Sequence, residues 1–155
     1  MIHITRSIFT TCVLCVSLPA LADDPKTGKG EATTVPAARI VPFHGYSRAI
    51  ELVRGKTRAV LCPQVGGRVL EFSVDGKDAM FLDDQEKLWQ PGKPALSSAG
   101  RFDYGPELTV TSHPKIWSGE WTGEITGPLA AKVTSPKDDV AGIQLIREFE
   151  LTAHI

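Results

Sequence analysis

From residue 39 onward, apolar and polar positions alternate in short runs, and Gly, Pro and Asp close each run before a helical period can establish itself. Residues 49–53 and 57–62 are two such runs, on either side of Arg54-Gly55-Lys56. In residues 69–74, Leu70, Phe72 and Val74 fall on one face of an extended chain, and Val69, Glu71 and Ser73 on the other. Asp75-Gly76 then supplies the residues that a two-residue type I′ loop requires, and residues 77–82 return as the partner strand. The pattern predicts a hairpin with one apolar face turned to the core. Residues 83–100 form a long irregular stretch carrying Trp89, Pro91, Gly92 and Pro94. Beyond "RFDYGPE" at 101–107, short strands are predicted at 108–111, 121–126 and 130–134, and the longest at 143–152. In that last strand Ile143, Leu145, Phe149 and Leu151 share a face that Arg147 interrupts; the arginine either snorkels or pairs with Glu107 or Glu124. Many short strands at this spacing predict an all-β antiparallel sandwich or barrel.

The N-terminus follows a different logic. Arg6 precedes an uncharged, mostly apolar run from Ile8 to Leu18, and Pro19-Ala20-Leu21-Ala22 offers small residues for cleavage. Residues 1–22 therefore read as a secretory signal, its apolar run shorter than the roughly 20 residues that span a bilayer. A lipid anchor at Cys12 or Cys15 is the rival reading, but neither has the Leu-x-small pattern before it. The expected location is periplasmic or secreted, with no membrane contact after cleavage. Residues 23–38, polar and rich in Gly, Pro and Thr, read as a flexible leader, and residues 39–155 as one folded unit.

Removal of the signal leaves Cys62 alone of the chain's 3 cysteines, so no internal disulfide is expected. Its apolar neighbours suit a buried thiol, and no adjacent His or Lys lowers its pKa for nucleophilic work. Lys and Arg number 17 against 18 Asp and Glu, a balance that points away from nucleic acid and from membrane surfaces. The histidines are scattered without metal-ligand spacing, and no phosphate-cradling loop or dinucleotide fingerprint is present; no metal or cofactor is expected.

The stretches "VGGRVLEFSVDGKDAMF", "AGRFDYGPE" and "WTGEITGP…AKVTSPKDDVAGIQLIREFEL" together resemble the first half of a galactose mutarotase-like domain, in an exported bacterial branch related to the aldose epimerases. The resemblance covers residues 45 to 151. It implies an antiparallel β-sandwich binding carbohydrate in a cleft, with the loop at 101–107 lying along that cleft. It also implies that the sandwich is incomplete here, that a catalytic glutamate would belong to a later region, and that open strand edges would favour self-association. Two functions follow from it: a carbohydrate-binding domain, or part of a sugar epimerase completed by further sequence or a partner. A third, non-catalytic structural domain uses the fold alone.

Arg101, Asp103, Tyr104 and Glu107 are the foremost substrate-binding candidates. A planar guanidinium and carboxylates hydrogen-bond vicinal hydroxyls, and an aromatic ring covers apolar C–H groups. An internal Arg–carboxylate pair is the alternative. Arg68 either donates to sugar hydroxyls, brought close by Gly66-Gly67, or sits behind a bend that those glycines make. His113 is a candidate proton-transfer group or a solvated loop residue. Trp89, Trp117 and Trp121 either stack on sugar rings or fill the core.

Overall fold

The computed structural model describes residues 36–94, 98–102, 104–106 and 109–152; the signal, most of the leader, Asp103 and Glu107 lie outside them. The described chain is all-β in character. Strands β1 (Ala37–Phe43), β2 (Tyr46–Arg54), β3 (Thr57–Cys62), β4 (Arg68–Val74) and β5 (Lys77–Asp78) form one antiparallel sheet in that order. After two four-residue helices, α1 (Asp84–Lys87) and α2 (Pro114–Trp117), strands β6 (Thr122–Gly127), β7 (Ala130–Thr134) and β8 (Ile146–Glu150) form a second antiparallel sheet.

β1 begins at Ala37, inside the segment that composition assigns to the leader, because residues 37–41 pair with β2 from Ala37↔Val53 to Val41↔Ala49. The Asp75-Gly76 turn is as expected: both residues have positive φ (51° and 74°), and Val74 faces Lys77 across a two-residue loop. The hairpin's faces are not as expected. Val60 pairs with Glu71 and Leu61 with Val69, so Leu70 is an extra residue in β4. This bulge carries Leu70 to the opposite face from Phe72 and Val74. Leu70 is fully buried, whereas Phe72 and Val74 are 37% and 44% exposed. The return strand stops at Asp78, whose carboxylate instead accepts from the Phe72 and Met80 N–H groups. Thr109–Thr111, placed in a strand by the pattern, has no strand pairing.

Two clusters lie on opposite faces of the five-stranded sheet. Ile50, Leu52, Ala59, Leu61 and Val69 meet Ala131 of β7, with Phe149 and Leu151 packed alongside, so the two sheets share this core. Each fully buried aliphatic side chain contributes roughly 1.5–3 kcal/mol. On the other face Tyr46, Cys62, Val65, Leu70 and Leu82 are covered by the segment around α1. Farther along that face runs an ion ladder. Glu51 accepts from Arg39 Nε at 2.5 Å and from Arg58 Nε at 2.7 Å, and Arg58 also pairs with Glu71. Burial pushes the Glu51 carboxyl up, but the Arg58 and Arg39 donors outweigh it and hold the group below the usual carboxylate range.

Arg147 neither snorkels nor pairs with Glu124, which bonds Lys132 at 2.8 Å. Its Nη1 donates to the Gly67 carbonyl at 2.8 Å, and its guanidinium lies 4.9 Å from the centroids of Phe102 and Phe149. Burial holds its pKa below the usual guanidinium value. With the Arg54 Nη1 bond to the Leu151 carbonyl, 3.1 Å, it stitches the end of the described chain to the first sheet.

Candidate functional site

The Gly66-Gly67 turn seats the segment that carries the site. Both glycines have positive φ, and both are closely approached. A Cβ on Gly66 would overlap the Trp117 carbonyl, and one on Gly67 would stand 2.7 Å from Trp121 Cδ2. Two backbone bonds hold the approach, Gly66 N–H to the Gly119 carbonyl at 2.8 Å and Trp121 N–H to the Pro63 carbonyl at 2.7 Å. The glycines thus serve a bend and a close contact with the 117–121 segment.

Arg68, offered above as a donor to sugar, is corrected by its surroundings. Its side chain is 1% exposed and paired with Glu86, itself 0% exposed. Arg68 Nη2 donates to Tyr46 Oη at 3.0 Å, Nη1 to the Ser98 carbonyl at 3.1 Å and Nε to the Val65 carbonyl at 3.2 Å. Tyr46 Oη donates in turn to Glu86 Oε1 at 3.2 Å, and Ser98 Oγ to Glu86 Oε2. Burial raises the Tyr46 phenol far above its usual pKa, which keeps it a donor. The guanidinium is a buried tie between β4 and α1, out of reach of a ligand.

Arg101, Tyr104 and His113 do come together, around Trp117. α2 opens with Pro114, whose missing N–H costs nothing in a first helical turn. It buries Ile116 against Trp121 and Val133. That leaves Trp117 at the side of the core, where the Arg101 guanidinium lies over its ring at 4.2 Å from the centroid. The His113 ring is 5.7 Å from Trp117 edge-on, and Tyr104 is 4.2 Å from His113. His113 Nδ1 lies 2.7 Å from the Thr111 carbonyl, an acceptor, so Nδ1 carries the hydrogen. A cavity of about 210 Å³ opens here, lined by Val110, Ser112, His113 and Trp117.

The geometry changes the part each aromatic plays. Arg101 covers a face of Trp117 that a sugar would use for stacking, so the indole backs the guanidinium instead. Such cation–π contact contributes about 0.5–2 kcal/mol and holds the guanidinium against the ring. Trp121 is core, 2% exposed, its Nε1 donating to the Ile116 carbonyl at 3.0 Å. Trp89 is half-buried and stacks on Tyr46 at 4.6 Å. Cys62 is buried, and burial pushes its thiol up to about 11, the setting of an inert thiol. Among the described residues no three His, Cys, Asp or Glu side chains are placed to hold a metal ion, and no helix is long and apolar enough to cross a membrane.

Arg48 and Glu120, an exposed ion pair across a surface groove, carry no signal in the sequence, because 72 positions separate them.

The fold and these contacts define an all-β protein of two antiparallel sheets with an arginine–aromatic cluster beside the second short helix. Comparison of the chain with protein-family models, with curated proteins and with solved structures finds no match.

Proposed function

We propose that this chain is an exported carbohydrate-binding domain, a β-sandwich of the galactose mutarotase-like kind, that holds a sugar at the Arg101–Trp117 cluster. The observation that carries the reading is the Arg101 guanidinium placed over the Trp117 ring, 4.2 Å from its centroid, beside His113, Tyr104 and the Ser112-lined cavity. A fixed planar donor suits two neighbouring hydroxyls, which accept a pair of parallel N–H bonds. The partly exposed Tyr104 ring supplies apolar surface for C–H groups, whereas His113 is 5% exposed and meets the cavity only at its wall. Arg101 and Tyr104 belong to the stretch on which the sugar-cleft resemblance rests, which adds support independent of the geometry.

Calorimetric titration with galactose and with glucose tests the proposal. At least one should bind, and Arg101→Ala should weaken it by about 1.5–3 kcal/mol, the range for a hydrogen bond to a charged group, with the circular dichroism unchanged. No heat from either hexose, or full affinity in Arg101→Ala, overturns it.

Sugar-ring epimerisation is the second reading, favoured by the imidazole of His113 within the same cluster. That reading needs a second proton-transfer group from further sequence or a partner; with that completion, mutarotation of freshly dissolved galactose or glucose should run faster by polarimetry and be abolished in His113→Gln, and a buffer rate in the completed protein removes it.

A further inference from the structure

We propose that the groove beside the C-terminal end of α2 is a second saccharide subsite, so that the ligand is a chain of sugar units and not a single ring. The inference rests on the carbohydrate reading of the Arg101–Trp117 cluster and extends it to a different surface.

The cavity at His113 and Trp117 measures about 210 Å³, below the roughly 300–1,000 Å³ typical of small-molecule sites. The groove measures about 650 Å³, within that range. Trp117 lines the first, and Ser118, the next residue in the chain, lines the second.

The groove wall is built to stay in place. Trp89 stacks on Tyr46 with an interplanar angle of 12°, and its Nε1 donates to the Lys93 carbonyl at 2.9 Å, closing the 89–93 turn. Behind Tyr46 stands the buried Arg68–Glu86 pair. On the opposite wall Gln64 Oε1 accepts from the Arg48 N–H at 2.7 Å, which commits the oxygen and leaves the amide NH₂ as the donor. Arg48 and Glu120 pair across the groove, both more than half exposed. The Lys93 ammonium has no carboxylate partner among the described residues. A held indole, an oriented amide donor, a guanidinium and a carboxylate acceptor form the set that recognises a polyhydroxylated ring with apolar C–H faces. Their alignment in an open groove, and not a closed pocket, fits a polymer passing through.

Joining the two sites with one ligand raises affinity through effective concentration without any new contact. The test compares glucose and galactose with cellohexaose and β-1,4-linked galactohexaose, by calorimetry and Trp fluorescence on the purified protein. The expected result is that one hexamer binds at least about tenfold tighter than its monomer. Trp89→Ala should reduce that gain to under about threefold and leave the monomer Kd within about twofold, because it touches one subsite only. Since Trp89 also packs on Tyr46, the exposed Lys93→Ala and the partly buried Gln64→Ala, both outside the core clusters, serve as further variants; each should lose part of the same gain. Equal affinity for monomer and hexamer, or a hexamer gain that survives all three substitutions, overturns the second subsite and leaves the Arg101 site standing. Failure of all four sugars to bind overturns both.

Discussion

The buried pair between Arg68 and Glu86 makes a single charge-removing substitution costly. Glu86→Gln keeps the size of the side chain and an oxygen that can accept from Tyr46. It removes the charge facing a guanidinium that is 1% exposed. Three other partners of that guanidinium, the Val65 and Ser98 carbonyls and the Tyr46 hydroxyl, are neutral. Breaking a buried pair by removing one member costs about 3–5 kcal/mol, because the other charge stays out of water without compensation. Domains have about 5–15 kcal/mol in total, so a large share of the stability should go. With a urea m-value of about 2 kcal/mol/M, a loss of about 4 kcal/mol moves the midpoint down by about 2 M. Urea titration followed by far-UV circular dichroism and by Trp fluorescence measures this. Trp89, stacked on Tyr46, reports the same neighbourhood. The comparison variant is Arg68→Met with Glu86→Leu, which takes both charges away and should recover most of the loss, since apolar replacements of similar volume are often neutral or better. A midpoint shift below about 0.3 M in Glu86→Gln would refute the reasoning, because it would mean that water reaches the pair and screens it.

Three further outcomes are expected. Gly67→Ala, which puts a Cβ into the Trp121 ring at positive φ, should cost more than about 2 kcal/mol, whereas Gly76→Ala, at positive φ in open space, should cost about 1 kcal/mol; equal urea midpoints would contradict the seating of the 117–121 segment. Cys62, its thiol pushed up to about 11 by burial, should resist a thiol reagent at pH 8 in the native protein and react fully in urea, as read by mass spectrometry. Because Glu51 has a depressed pKa in the folded state, its contribution is present above the usual carboxylate range and is lost as pH falls through the folded value. The stability gap between wild type and Glu51→Gln should therefore hold between pH 7 and the usual carboxylate range and shrink as pH falls below it, and a gap independent of pH would remove the ladder's electrostatic role.

Local chemistry was the legible part of the sequence. Asp75-Gly76 is a turn because its two residues tolerate positive φ, and β7 occupies residues 130–134 because Ala131 and Val133 alternate against polar neighbours. The face that joins Ile143, Leu145, Phe149 and Leu151 also reaches the core as the pattern predicts. What failed depended on partners distant in sequence. The bulge at Leu70 is visible only opposite Leu61, and β1 was missed because its first two residues, Ala37 and Ala38, fall in the segment read as leader and the pairing that defines the strand comes from β2. In the candidate site, residue type sufficed to bring forward Arg101, Tyr104 and His113. It could not distinguish Arg68, whose fate turns on a glutamate in a four-residue helix 18 positions on.

Among the described residues, strand pairing in both sheets runs between neighbours in sequence, β1 to β5 in one and β6 to β8 in the other. Each pairing closes a short loop, and loop-closure entropy grows with length, so these hairpins are the fast events of folding. The slow event is the meeting of the two meanders, which joins Arg54 to Leu151 across 97 positions. In a chain made from its N-terminus, the first sheet has all its strands by residue 78, while Ala131 has yet to be added. Between those two points the row of Ile50, Leu52 and Leu61 stands bare to water, and that interval is the stage at which a holding chaperone would have to act.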